Sequence, residues 1–122
     1  MTMTVLLIED DPDVRMMLSL FLQRSGFEVV QPNNGEDGCE LYRANRERVR
    51  AVVVDAVLPG LDGPSTIARL RKCNPHVRFC FITGIDSREL YDCGPARVLQ
   101  KPFSLDEFLQ TVRQLAAASA TS

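Results

Sequence analysis

Ala51-Val-Val-Val54, followed at once by Asp55, is the strongest strand signal in the chain. Its four apolar residues, three of them β-branched, leave no polar face, so both sides of this strand have to be covered. Such runs belong to the centre of parallel sheets with helices packed on either side. The rest of the chain supplies the neighbours. Upstream, Val5-Leu-Leu-Ile8 is a second wholly apolar run, ended by Glu9-Asp10-Asp11 and Pro12. Asp11 is placed to cap a helix whose first position is Pro12, where a proline loses no useful hydrogen bond. Val14, Met17, Leu18, Phe21 and Leu22 then recur at helical spacing, and Ser25-Gly26 stops the pattern.

The alternation continues along the chain. Phe27-Glu-Val-Val30 reads as a strand closed by Pro32-Asn-Asn-Gly35, and a helix of poor periodicity comes next over residues 36–45. After the central strand, Leu58-Pro-Gly-Leu-Asp-Gly63 is a loop, and residues 64–73 form a helix ending at Asn74-Pro75. Residues 77–82 are a fourth strand, 87–93 a short helix stopped by Gly94-Pro95, and 97–100 a short fifth strand. Ser104-Leu-Asp-Glu107 is a capping box opening a last helix, with Leu105, Phe108, Leu109, Val112 and Ala116 on one face. Residues 117–122, small and polar, are expected to fray. Strands alternating with helices imply right-handed crossovers and an α/β, doubly wound, five-stranded parallel sheet of order 2-1-3-4-5, helices on both faces. In that topology the ligand site lies beyond the carboxyl ends of the strands, where the first and third are neighbours.

Composition narrows the function classes. At 122 residues, 45% hydrophobic and 25% charged, the chain has the size and profile of one globular domain, against a prior of roughly 150 residues per domain. The formal net charge of −2 gives no footprint for nucleic acid and no polybasic membrane anchor. No apolar run approaches a membrane span and the first residues lack the pattern of a signal peptide, so a cytoplasmic location is expected. One histidine, His76, excludes multi-histidine metal sites, and the four cysteines (Cys39, Cys73, Cys80, Cys93) form no C-x-x-C pair. Cys80 reads as a core residue. The stretch at 43–50 carries four arginines, but glutamates lie nearby and aromatics are sparse, so it reads as a solvated helix end.

The chemistry lies in the residues at the carboxyl end of each strand. Glu9, Asp10 and Asp11 come after the first, Asp55 after the third, Thr83 after the fourth and Lys101 after the fifth. The topology brings Glu9, Asp10 and Asp55 together, and three carboxylates at one edge repel unless something positive joins them. A hard divalent cation suits them, and Mg²⁺ suits a site with few carboxylates and several retained waters. Thr83 offers a hydroxyl and Lys101 a point charge, both suited to an oxyanion. Together these describe a phosphoryl-accepting site with Asp55 as nucleophile. Singly, each residue has a plainer reading: a loop cap for Asp55, a strand residue for Thr83, a surface charge for Lys101. For Asp11 and Asp13 the helix N-terminus is the better account.

These residues are where the chain resembles the receiver domains of two-component response regulators. The segment from Val5 to Arg15 resembles the family's opening motif, whose two acids hold Mg²⁺, with Glu9 standing for the commoner aspartate. Asp55-Ala-Val-Leu-Pro-Gly-Leu-Asp-Gly63 resembles the phosphoacceptor segment, Thr83-Gly84 the switch threonine and its small follower, and Lys101-Pro102-Phe103 the lysine with its usually cis proline. The resemblance covers residues 4–116. It implies a flavodoxin-like fold and Asp55 as phosphoacceptor. It further implies Mg²⁺ on Asp10, Asp55, the Val57 carbonyl and, through water, Glu9, with Thr83 and Lys101 as the catalytic and switching residues. The implied partners are a sensor histidine kinase or phosphotransfer protein upstream and another protein downstream. The chain is then no enzyme beyond its own aspartyl phosphorylation and dephosphorylation. With the motifs filling residues 4–116, one receiver domain over 1–122 without an output domain is expected, as a monomer or a weak phosphorylation-dependent dimer.

Three departures from the family stand out. Val98 occupies the position three before Lys101 where many receivers place a switch aromatic. Only ten residues separate Thr83 from Gly94, so the helix between them is expected to be short by about one turn, ~4 residues. Val57 and Ile85, each two residues beyond Asp55 and Thr83, are apolar where the family flanks the attacking water of dephosphorylation. A long-lived phosphoaspartate is expected from that pair. Val57 also counts against a phosphatase of the haloacid-dehalogenase type, which needs a second acid there. Glu9-Asp10-Asp11 counts against a flavin-phosphate loop. A receiver used only for docking would be marked by loss of the acceptor or metal acids, and all are present.

Overall fold

The computed structural model describes residues 2–84, 90 and 97–121, with side chains through 117. Five strands form one sheet in the order β2-β1-β3-β4-β5: β1 (Thr4–Ile8), β2 (Glu28–Val30), β3 (Val49–Asp55), β4 (Phe79–Thr83) and β5 (Arg97–Gln100). Every neighbouring pair is parallel. Four helices lie among the described residues: α1 (Pro12–Arg24), α2 (Gly35–Asn45), α3 (Gly63–Cys73) and α4 (Leu105–Thr121). Of the short helix expected over 87–93 only Leu90 is among the described residues, and it is buried; Ile85 and Cys93 lie outside them.

The period of two in the strands divides the core. Leu6, Ile8, Val52, Val54, Phe79 and Phe81 point to one face, where Cys39 and Tyr42 of α2 and Ile67 and Leu70 of α3 cover them. Val5, Leu7, Ala51, Val53, Cys80, Ile82 and Leu99 point to the other, beneath Leu18 and Leu22 of α1 and Phe108, Val112 and Ala116 of α4. β3 is therefore buried along both sides, as its unbroken apolar run requires. Cys80 is fully buried, and burial pushes its thiol up to about 12.

Helix ends obey the local chemistry. The Asp11 carboxylate accepts hydrogen bonds from the N–H groups of Asp13 and Val14, at 3.0 and 3.4 Å, with Pro12 in the first turn. Asp62 caps α3 through Ser65 N–H at 2.8 Å, and Ser104 Oγ accepts from Glu107 N–H at 3.0 Å ahead of α4. Gly26, with φ +98°, takes the left-handed conformation that closes α1.

Several boundaries shift for identifiable reasons. Phe27 does not join β2, because its N–H donates to Leu22 O at 3.0 Å and completes the end of α1. Val77 stays outside β4 because its N–H donates to Asn74 O at 3.1 Å in the preceding turn, while Thr83 enters the ladder opposite Gln100. Met17 is half exposed although it falls in the apolar pattern of α1: it lies about 100° round the helix from Leu18, at the margin of the buried stripe. α4 runs through Thr121. Alanine, abundant there, has the highest helix propensity of any residue.

Candidate functional site

The strand ends position every candidate group. β1 and β3 run side by side, with Ile8 opposite Val54, so the residues just beyond them meet at one edge. Glu9, Asp10 and Asp55 each bring a carboxylate oxygen to within 4.8 Å of the others. Glu9 is 1% exposed and Asp55 7%, whereas Asp10 faces solvent. Thr83 is fully buried at the end of β4. Its carbonyl accepts from Lys101 N–H at 2.6 Å, fixing the backbone of the lysine beside the acids. The Lys101–Pro102 peptide bond is cis.

Lys101 Nζ divides itself between two acids, reaching Glu9 Oε1 at 3.1 Å and Asp55 Oδ2 at 3.2 Å. The other oxygen of Asp55, Oδ1, accepts from Val57 N–H at 2.9 Å. Glu9 Oε2 is buried without a hydrogen-bond partner. Burial, then the neighbouring Asp55 carboxylate, push the Glu9 carboxyl up to about 8, against the opposing pull of Lys101. For Lys101 burial acts downward, but the bonds and charges of Glu9 and Asp55 outweigh it and hold the ammonium pKa above its ordinary value.

Three carboxylates facing one ammonium leave two negative charges uncompensated when all are ionised. In a partly buried site that imbalance favours either proton uptake, as at Glu9, or a divalent cation. The all-oxygen donor set, one member solvent-facing, fits Mg²⁺, which keeps several waters. The orphaned Glu9 Oε2 is the atom left without a partner when no cation is bound.

Two supporting contacts are not legible in the sequence. Arg15 Nη1 donates to the Glu9 carbonyl at 3.1 Å, tying the first turn of α1 to the acidic segment. At Gly63 a Cβ would lie 2.6 Å from Asp55 O and 2.7 Å from Ala56 Cα, so only glycine lets α3 start this close to the end of β3. Arg15 and Gly63 each end one of the motif segments quoted above, but nothing in those segments announces the contacts they make. Val57 presents its side chain to solvent, 60% exposed. Val98 is partly buried against the core under α2 and α3.

The family model for the response regulator receiver domain matches residues 5–113. The chain belongs to that family. Among curated relatives, this receiver domain is 35% identical to the sensor kinase CckA of Brucella abortus over 92% of its own length. It is 30% identical to the response regulator receiver protein CpdR of the same organism over 94% of its length. The chain spans 12% of the kinase and 98% of CpdR. A receiver domain of the Francisella response regulator 1452 superimposes with a TM-score of 0.86 at 26% identity, covering 97% of this chain and 99% of that one. As a receiver domain of two-component systems the chain is a signalling module. Among the described residues, no helix is long and apolar enough to cross a membrane.

Proposed function

We propose that this receiver domain accepts a phosphoryl group on Asp55 from the phosphohistidine of a sensor histidine kinase or phosphotransfer protein in the cytoplasm, and passes the signal through contacts with a downstream protein. The observation that carries this reading is the division of Lys101 between Glu9 and Asp55 inside a three-carboxylate cluster. Asp10 and Asp55, with the Val57 carbonyl and, through water, Glu9, would hold Mg²⁺. When bound, the ion supplies neutralisation of the negative charge that gathers on phosphoryl oxygens.

A carboxylate oxygen of Asp55 attacks phosphorus in line with the histidine nitrogen. The O–P bond forms as the N–P bond breaks, and the electron pair leaves on the imidazole, which takes a proton from solvent. Lys101 gives up part of its pairing with Asp55 and meets a phosphoryl oxygen as that carboxylate becomes an ester-like anhydride. Thr83 contributes its hydroxyl to another oxygen, and this rearrangement shifts the population of the loops after β3 and β4. The receiver unit is residues 4–116, acting as a monomer or a weak phosphorylation-dependent dimer.

Intact-mass measurement after incubation with acetyl phosphate and Mg²⁺ tests the reading. One phosphoryl adduct, absent from Asp55→Asn, is expected; steady phosphate release without an adduct points to a phosphatase instead. The apolar pair Val57 and Ile85 disfavours the attacking water of dephosphorylation, so the adduct should be long-lived. Val57→Asn combined with Ile85→Glu should shorten its lifetime, and an unchanged lifetime counts against that role.

A further inference from the structure

The arginines at 43–50 separate in the fold. Arg48 Nη2 pairs with Glu28 Oε2 at 3.2 Å on the surface, and Arg43 stands beside Cys73. Arg46 and Arg50 instead line a cavity of about 260 Å³ together with Arg78 and His76. The cavity lies at the start of β3, and the acidic cluster lies at its end, roughly 20 Å away along a strand of this length. Among the described residues no carboxylate comes within 4 Å of the guanidinium of Arg46, Arg50 or Arg78. Glu47 is the single acid on the lining.

The floor is built and fixed. Asn74 Nδ2 donates to Tyr42 Oη at 3.0 Å, and Asn74 Oδ1 accepts from His76 N–H at 3.0 Å. Tyr42 is 2% exposed, and because its oxygen accepts from Asn74, its hydrogen remains available to donate. The Arg46 charge acts on this phenol, drawing its pKa down against the larger upward effect of burial. Helix ends account for part of the positive charge, since α2 and α3 both finish at this edge and Arg46 comes directly after α2. They do not account for Arg50, which is inside β3, or for Arg78, which immediately precedes β4.

We propose that this cavity is a second ligand site, binding a small anion that carries one or two phosphate groups. Guanidinium forks match phosphate oxygens in pairs, and three arginines and a tyrosine lining one hollow offer donors of the kind a phosphate accepts from. The volume is below the usual range of roughly 300–1,000 Å³ for drug-sized ligands, which favours a compact anion. An acidic peptide would need an extended groove rather than a half-open hollow of this size. The site is independent of the role assigned to Asp55.

Pyrophosphate titrated into the full chain, with chelator present to keep divalent ions from the acidic cluster and about 0.15 M salt to screen loose association, tests the proposal by backbone amide NMR. Saturable binding is expected, with shifts concentrated at residues 46–52 and 74–78. Arg78→Ala, at an exposed position, and Arg50→Gln should each weaken binding about tenfold or more, the loss of one charge-assisted bond. Arg113→Ala, on the outer face of α4, should leave it unchanged. Shifts that grow without saturating, or that spread equally over the other surface arginines, would mean screening only and overturn the proposal. So would equal affinity in Arg78→Ala, or tetraglutamate binding at the same residues as tightly as pyrophosphate.

Discussion

Glu9 stands where burial and charge conflict. Its side chain is removed from water, one oxygen is paired with Lys101 and the other has no partner. Its pKa in the fold, about 8, exceeds the ordinary 4.5, so the folded protein holds a proton there that the unfolded chain has released. The resulting stabilisation is complete below about pH 4.5 and is lost as pH rises through about 8. Without metal, the melting temperature should therefore decline between these values, and Glu9→Gln should flatten the decline. Saturating Mg²⁺ should abolish it, because the cation replaces the proton. The raised pKa of Lys101 acts above its ordinary value and so outside this window. Lys101→Met, which keeps the length of the stem, should slow phosphoryl-adduct formation about 10²- to 10³-fold, as for removal of one oxyanion donor, measured by intact mass over time.

At the scale of elements, the site depends on how closely α3 approaches the end of β3. Gly63→Ala places a methyl group against Asp55 O and Ala56 Cα, neither of which is a flexible side-chain end. A loss of about 1–3 kcal/mol in denaturant unfolding is expected, with slower Asp55 phosphorylation because the acceptor segment must shift. Elements with strong local chemistry were legible in the sequence: the Asp11 and Ser104 caps, the buried run of β3, and the fifth strand over Arg97–Gln100. Boundaries set by a single tertiary or turn hydrogen bond were not. Nothing in Phe27-Glu-Val-Val30 says that the Phe27 N–H belongs to α1. Likewise the apolar pattern of α1 placed Met17 with Leu18, while burial depends on the angle round the helix at which the sheet begins.

For the whole molecule, charge is divided between the two edges of the sheet. The carboxylates of Glu9, Asp10 and Asp55 meet beyond the strand ends, and Arg46, Arg50 and Arg78 gather where the strands begin. The first grouping is a consequence of topology, because order 2-1-3-4-5 makes β1 and β3 neighbours, so sequence alone was enough to bring those acids together. The second was hidden, because Arg78 is distant in sequence from the 43–50 stretch and only the fold brings the start of β3, the end of α2 and the turn after α3 together. The sharing of Lys101 between two acids and the Arg15 contact with the Glu9 carbonyl were hidden as well, because the reach and direction of a long side chain are decided in the packed fold. Asp55 as phosphoacceptor is the central claim. Borohydride reduction after treatment with acetyl phosphate and Mg²⁺ converts a phosphoaspartate to homoserine, which peptide mass spectrometry then locates. Homoserine at position 55, and its loss in Asp55→Asn, is the predicted result; homoserine at Asp10 or another acid, or none in folded protein supplied with Mg²⁺, would contradict it.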